Sequence, residues 1–189
     1  MSTKRLVHIA MFTALIIVGG LISVPIPFTQ VEVSLQTVFV IAAGLVLGGV
    51  DGALSVLVYL AMGLLGLPVF TKGGGLHYIF MPSFGYLIGF PIGAFVSGML
   101  CKRITRVTRG KVFLCALIGC VPIYAIGVTY QVLILYYYLH STWAAAIMGV
   151  PAVGVLLIKD MVMCGGCAAL YPSLTHAMRS SKKFNGQSR

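Results

Sequence analysis

The chain is 189 residues long, 59% hydrophobic and 8% charged, against about 25% charged in a soluble domain, which excludes a water-soluble globular fold. Thirteen Lys and Arg face three acids, Glu32, Asp51 and Asp160, for a net charge of +10. The five cysteines (101, 115, 120, 164 and 167) are an odd number in or beside apolar runs, so they read as buried free thiols rather than a disulfide framework.

Lys4 and Arg5 precede an apolar run that continues to Pro25 with no small-residue cleavage site. That length suits a retained span rather than a cleaved leader. Further runs follow, giving spans at about 6–24, 34–50, 52–68, 82–100, 112–138 and 150–176, set against the roughly 20 residues a membrane helix requires. The expected fold is an all-α integral membrane protein, one domain over 1–189 built as a six-transmembrane-helix bundle. The second and third spans are short and joined at Gly48-Gly49-Val50-Asp51-Gly52, where Asp51 is placed to cap the third helix. The fifth is long enough to tilt or to extend past the bilayer.

Lys4, Arg5, Lys102, Arg103, Arg106, Arg109, Lys111, Arg179, Lys182, Lys183 and Arg189 all fall on one side of that layout, with only Lys72 in a loop opposite. The positive-inside rule puts both termini in the cytoplasm. The basic surplus is then topological, with some attraction to the headgroups of membrane lipids, and no nucleic acid is called for. Tyr136, Tyr137, Tyr138 and Trp143 fall at the expected outer interface. The outer loops are 24–33, carrying Pro25, Pro27, Phe28, Thr29 and Gln30, then 68–81 and 139–149.

The stretch from Gly66 to Phe90 is the most unusual. Pro68 and Pro82 bracket Gly73, Gly74 and Gly75, and Phe70, Tyr78, Phe80, Phe84 and Tyr86 supply more aromatic surface than a connector needs. Glycines permit positive φ and close approach, and prolines fix φ, so the segment folds back either as a pocket wall or as an ordinary hairpin.

Asp160 is the single acid inside an expected span. A carboxylate in hydrocarbon costs several kcal/mol, and Asp is too short to reach the interface, so it faces a cavity or a partner. Counted from Pro151, Lys159 and Asp160 lie about 12 Å along the last helix, in its outer half. Adjacent helical positions diverge by roughly 100°, so the two do not pair directly. They either flank a ligand, or Lys159 extends outward while Asp160 bonds a neighbouring helix. Gln36 and Thr37 open the second span at the same outer end; Gln offers donors and an acceptor suited to a urea or amide, or equally an interhelical hydrogen bond. Tyr86, Tyr124 and Tyr130 are placed to line the same outer cavity, or simply to pack.

Gly85, Gly89, Gly93 and Ser97 recur every four residues along the fourth span, and Ala10 and Ala14 do so on the first. Such ridges let helices approach closely, one of them internally and the other against a separate membrane protein. Cys164-Gly-Gly-Cys167 has CxxC spacing without a second pair or a nearby His, and no metal is expected. No nucleotide-binding GxxxxGK[ST] and no acid cluster for magnesium are present. The chain reads as a binding protein of the membrane, not an enzyme, with no cofactor, driven by energy from elsewhere.

Over almost its whole length the chain resembles BioY, the biotin-specific substrate-capture (S) component of energy-coupling-factor vitamin transporters. The resemblance is carried by Pro25-Ile-Pro27-Phe-Thr, Leu35-Gln36-Thr37-Val-Phe39, Ala43-Gly44-Leu45, Gly63-Leu-Leu-Gly66-Leu67-Pro68-Val69-Phe70, Gly73-Gly74-Gly75 and Gly85-Tyr86-Leu87-Ile88-Gly89-Phe90. It implies a six-helix bundle with a vitamin site near the outer face. It also implies docking through Ala10 and Ala14 onto a transmembrane coupling subunit that bears two ATPases. The chain departs from relatives at Thr71-Lys72, at Pro82-Ser83-Phe84-Gly85, and at Met163, where many carry Lys one turn after the acid. In the expected site Asp160 accepts from the ureido N–H groups of biotin and Gln36 or Thr37 serves the carbonyl. Phe70, Tyr86 and Gly73–Gly75 cover the bicycle, and Lys159 or Lys72 meets the carboxylate. An S component for a different vitamin is the alternative, followed by a membrane enzyme acting on a lipid.

Overall fold

The computed structural model describes residues 2–25, 32–104, 108–138, 154 and 156–171. Helix α1 (Thr3–Leu21) runs into a two-stranded antiparallel ribbon, β1 (Ser23–Pro25) with β2 (Glu32–Ser34), in which Ser23 faces Ser34 and Pro25 faces Glu32. Helices α2 (Gln36–Leu47) and α3 (Gly49–Leu64) follow, then a 3-10 turn at Leu76–Phe80 and α4 (Phe84–Lys102). Helix α5 (Arg109–Leu133) continues as a π turn over Ile134–Tyr138, and α6 occupies 156–171. The six helices are those expected. Pro27, Phe28, Thr29, Gln30, Arg106, the 139–149 loop with Trp143, Pro151, and Arg179, Lys182, Lys183 and Arg189 lie outside the described residues.

Among the described residues three helices are long and apolar enough to cross a membrane, while α2 and α3 are shorter apolar helices. At 12 residues α2 is about 18 Å long, well short of a hydrocarbon core of roughly 30 Å. Its first turn therefore begins inside the bundle, with Gln36 and Thr37 both buried. Gly19 and Gly20 of α1 make room for this start: a Cβ on Gly20 would meet the Gln36 Nε2 at 3.3 Å, and the Leu35 N–H donates to the Gly19 carbonyl at 3.1 Å.

The α2–α3 corner turns on Gly48 alone, at φ +90°, a backbone conformation that side chains with a Cβ rarely adopt. Helix α3 consequently starts at Gly49, earlier than the sequence suggested, and Asp51 is not its cap. Asp51 lies in the first turn, where it accepts from the Arg5 Nε at 2.8 Å and ties α3 to the start of α1. An acid there also suits the helix dipole. Further up, the Thr13 hydroxyl bonds across to the Ser55 carbonyl at 2.9 Å.

Helix α4 is central, with α2, α3 and α5 packed around it and α1 lying on α2 and α3. The glycine ridge of α4 is its seam with α5. A Cβ on Gly89 would meet the Ile123 Cα at 2.7 Å, and one on Gly93 the Gly119 carbonyl oxygen at 2.7 Å. Such backbone contacts cannot swing aside. Gly89→Ala is expected to cost about 1–3 kcal/mol through overpacking, outweighing the gain of up to roughly 1 kcal/mol from helix propensity. A lowered thermal midpoint in detergent is the check. The other ridge behaves differently: Ala10 and Ala14 lie on an exposed stripe of α1 with Leu6, Val7, Met11, Val18 and Leu21.

Candidate functional site

Because α2 begins deep, the ribbon end of the bundle holds a cavity of about 50 Å³. Its walls come from six places. Glu32 and Ser34 lie on β2, Gln36 and Thr37 open α2, and Thr71, Tyr78 and Ser83 come from the α3–α4 loop. Tyr86, Leu87 and Phe90 of α4 and Ile123 and Tyr124 of α5 form one side, and Leu156 and Lys159 of α6 close it.

Five residues designated from the sequence line the cavity: Gln36, Thr37, Tyr86, Tyr124 and Lys159. Gln36 Nε2 and the Tyr59 hydroxyl are buried together, close enough to interact but without a well-directed hydrogen bond. Tyr86 donates to the buried Gln131 Oε1 at 3.0 Å, a bond that holds the Tyr86 ring upright against α5. Its edge meets Tyr124 with the ring centroids 6.0 Å apart. The third tyrosine, Tyr130, turns away and donates to the Ile79 carbonyl, so it braces the loop instead of lining the cavity.

Asp160 is 2% exposed and sits one layer behind the wall. Its Oδ2 accepts from the Tyr124 hydroxyl at 2.5 Å. Lys159 Nζ lies 2.7 Å from Oδ1 and donates to the Ser34 carbonyl at 2.5 Å. The two neighbours thus do pair, against the sequence-based expectation. The divergence of adjacent positions holds for Cβ atoms, but a four-carbon stem is long enough to curl back over the carboxylate. The contact lies off the hydrogen-bonding directions, so Oδ1 remains without a well-directed donor. Asp160 reaches the cavity through Tyr124 and Lys159, which are both lining residues.

Phe70 and Gly73–Gly75 are not in the cavity wall. Phe70 is buried because its ring fills the space left by the missing side chain of Gly63, edge-on to Tyr59 at 5.3 Å and tilted against Tyr78 at 4.6 Å. Gly73 exchanges two backbone hydrogen bonds with Phe70 at 2.9 and 3.1 Å, and the Gly75 N–H donates to the Gly63 carbonyl at 2.7 Å. With Gly73 and Gly75 at φ +109° and +111°, the glycines set the path of the loop. Its polar atoms face the cavity as Thr71 and Tyr78, whose hydroxyls are 2.9 Å apart. The stretch is therefore a pocket wall in which glycine supplies shape and its neighbours supply chemistry.

Lys72 stands at the rim, 3.8 Å from Glu32 Oε1, and Glu32 Oε2 accepts from the Ser23 hydroxyl at 2.8 Å. Glu32 and Ser34 escaped the sequence reading because a three-residue ribbon leaves no periodicity to follow, whereas Thr71, Tyr78 and Ser83 lie in the stretch read as a pocket wall or a hairpin without being singled out as site residues. On α6, Cys164 Sγ is 3.9 Å from Cys120 Sγ and Cys167 points at the Val38 carbonyl, and all five thiols are free. Among the described residues no group of three or more His, Cys, Asp or Glu gathers to hold a metal ion.

A family model described as the BioY family matches residues 1–180. The probable biotin transporter BioY of Lysinibacillus sphaericus is 40% identical over 185 residues, covering 96% of this chain and 91% of its own length. The biotin transporter BioY of Thermotoga maritima is 38% identical over 164 residues, covering 84% and 90%. In three dimensions the chain is similar to the crystal structure of the S-component for biotin from an ECF-type ABC transporter. That match has a TM-score of 0.74 at 27% identity and covers 91% of this chain and 95% of the other.

Proposed function

The chain belongs to the BioY family, and from that premise we propose how its cavity works. The protein is a multi-pass cell-membrane protein of biotin uptake, the S component of an ECF-type transporter. Its own task is capture, and the work of transport is done by paired ATPases acting through a transmembrane coupling subunit.

One observation carries the reading of the site. Gln36 Nε2 lines the cavity as a buried donor without a well-formed hydrogen bond, and Asp160 Oδ1, one layer behind the wall between the lining residues Tyr124 and Lys159, is an acceptor without a well-directed donor. A ureido group is their complement: its carbonyl accepts from Gln36, and an N–H donates to Asp160. Thr37 assists at the carbonyl, while Tyr86, Leu87 and Phe90 supply an apolar face for the bicycle. The α2 N-terminus opens at the same place and adds a positive potential toward the carbonyl oxygen. Phe70 and Gly73–Gly75 act indirectly, by holding Thr71 and Tyr78 in the wall.

The cavity end faces outward and both termini face the cytoplasm. Arg5, Lys102, Arg103, Arg109 and Lys111 at the far end of the bundle support this orientation, with Lys72 at the cavity end. The basic end also suits anionic membrane lipids. A competition experiment tests the ligand: purified protein loaded with radiolabelled biotin is challenged with a panel of vitamins. Only biotin and analogues that keep the ureido ring are expected to displace the label, since a site built on hydrogen bonds rejects analogues lacking them. Equal displacement by an unrelated vitamin would transfer the assignment to that vitamin.

A further inference from the structure

Two lysines stand near the cavity, and the structure separates them. Lys159 Nζ is committed, 2.5 Å from the Ser34 carbonyl and 2.7 Å from Asp160 Oδ1, with its side chain 16% exposed. Lys72 Nζ is held loosely, 3.8 Å from Glu32 Oε1, with its side chain 39% exposed. Glu32 itself lines the cavity, anchored from its other oxygen by Ser23. Thr71, next to Lys72 in the chain, lines the cavity too.

We infer that Glu32 and Lys72 together set the charge at the cavity mouth and so determine whether a carboxylate ligand or its neutral amide is preferred. The inference rests on the biotin reading, because biotin carries a carboxylate at the end of its tail. With both residues present the mouth is neutral, and Lys72 is free to exchange one carboxylate for another. Without Lys72, the anchored Glu32 carboxylate remains in the wall and repels an incoming anion. Without Glu32, Lys72 loses its competing partner and favours that anion. Lys159 is a poor candidate for this role, since turning it outward would strip both Asp160 and the Ser34 carbonyl of a cation at under 3 Å.

The test is a titration of biotin and biotin amide against the purified full-length protein, Lys72→Gln, Glu32→Gln and the double variant. Lys72→Gln is expected to lower the biotin-to-amide affinity ratio about fivefold and Glu32→Gln to raise it by a similar factor, the size typical of one partly exposed charge pair. The double variant is expected to return near the parental ratio. A purely structural pair would weaken both ligands alike, and unchanged ratios in both single variants would overturn the inference. Should the parent retain neither ligand, the biotin reading itself fails and this inference falls with it.

Discussion

Asp160→Asn is expected to weaken biotin binding at least tenfold while the helical content of the purified protein stays close to the parent, with a lowered thermal midpoint because Lys159 loses its buried counter-charge. The substitution keeps the size of the side chain and one oxygen for the Tyr124 hydroxyl, which now sits at 2.5 Å. It removes the charge that holds Lys159 Nζ at 2.7 Å. In place of Oδ1 it can present an amide that donates where the ureido N–H also donates, so an attraction becomes a clash of donors. A tenfold loss corresponds to about 1.4 kcal/mol, and one charge-assisted hydrogen bond is worth roughly 1.5–3 kcal/mol. The figure is thus a lower bound for the loss of a single ureido contact. Isothermal titration of both proteins is the check, and equal affinities would remove Asp160 from the site.

Ala14→Arg is expected to leave biotin binding intact and to abolish uptake in cells that express the ATPases and the coupling subunit. Ala14 lies on the exposed stripe of α1, while the face of that helix turned inward carries Ile9, Phe12, Thr13, Ile16, Gly19 and Gly20. No α1 residue lines the cavity. With Ala10 one turn before it, Ala14 leaves a shallow strip against which another helix can lie closely. An arginine there holds a partner helix away and adds a charge at membrane depth, at a cost of about 2.5 kcal/mol or more. Simultaneous loss of binding and uptake would leave the docking assignment unsupported.

How much of this was legible in the sequence depended on the kind of signal. The helices were visible because an apolar run of spanning length leaves little choice of backbone, and the family resemblance agreed. Gln36, Thr37 and Tyr86 were singled out because polar atoms in apolar helices need partners, and all three line the cavity, with Tyr86 finding its partner in Gln131. The glycine stretch was left open between a pocket wall and an ordinary hairpin, and the covering role was given to Phe70 and Gly73–Gly75, which are not among the residues lining the cavity. Gly73 and Gly75 bend the chain, and Phe70 is drawn into the core by the vacancy at Gly63. Asp51 was misplaced because Gly48 starts α3 early, a choice of φ invisible in hydropathy. Glu32 was hidden for a different reason: its position depends on a ribbon whose strands are three residues long. The Lys159–Asp160 contact came from side-chain reach, which spacing rules based on Cβ positions do not capture.

The central claim is that this one cavity captures biotin, and native mass spectrometry of the protein purified from biotin-fed cells tests it most directly. The expected spectrum shows one biotin per chain, much reduced in Asp160→Asn. A chain that carries no small molecule, or that carries a different vitamin at the same stoichiometry, would contradict the account.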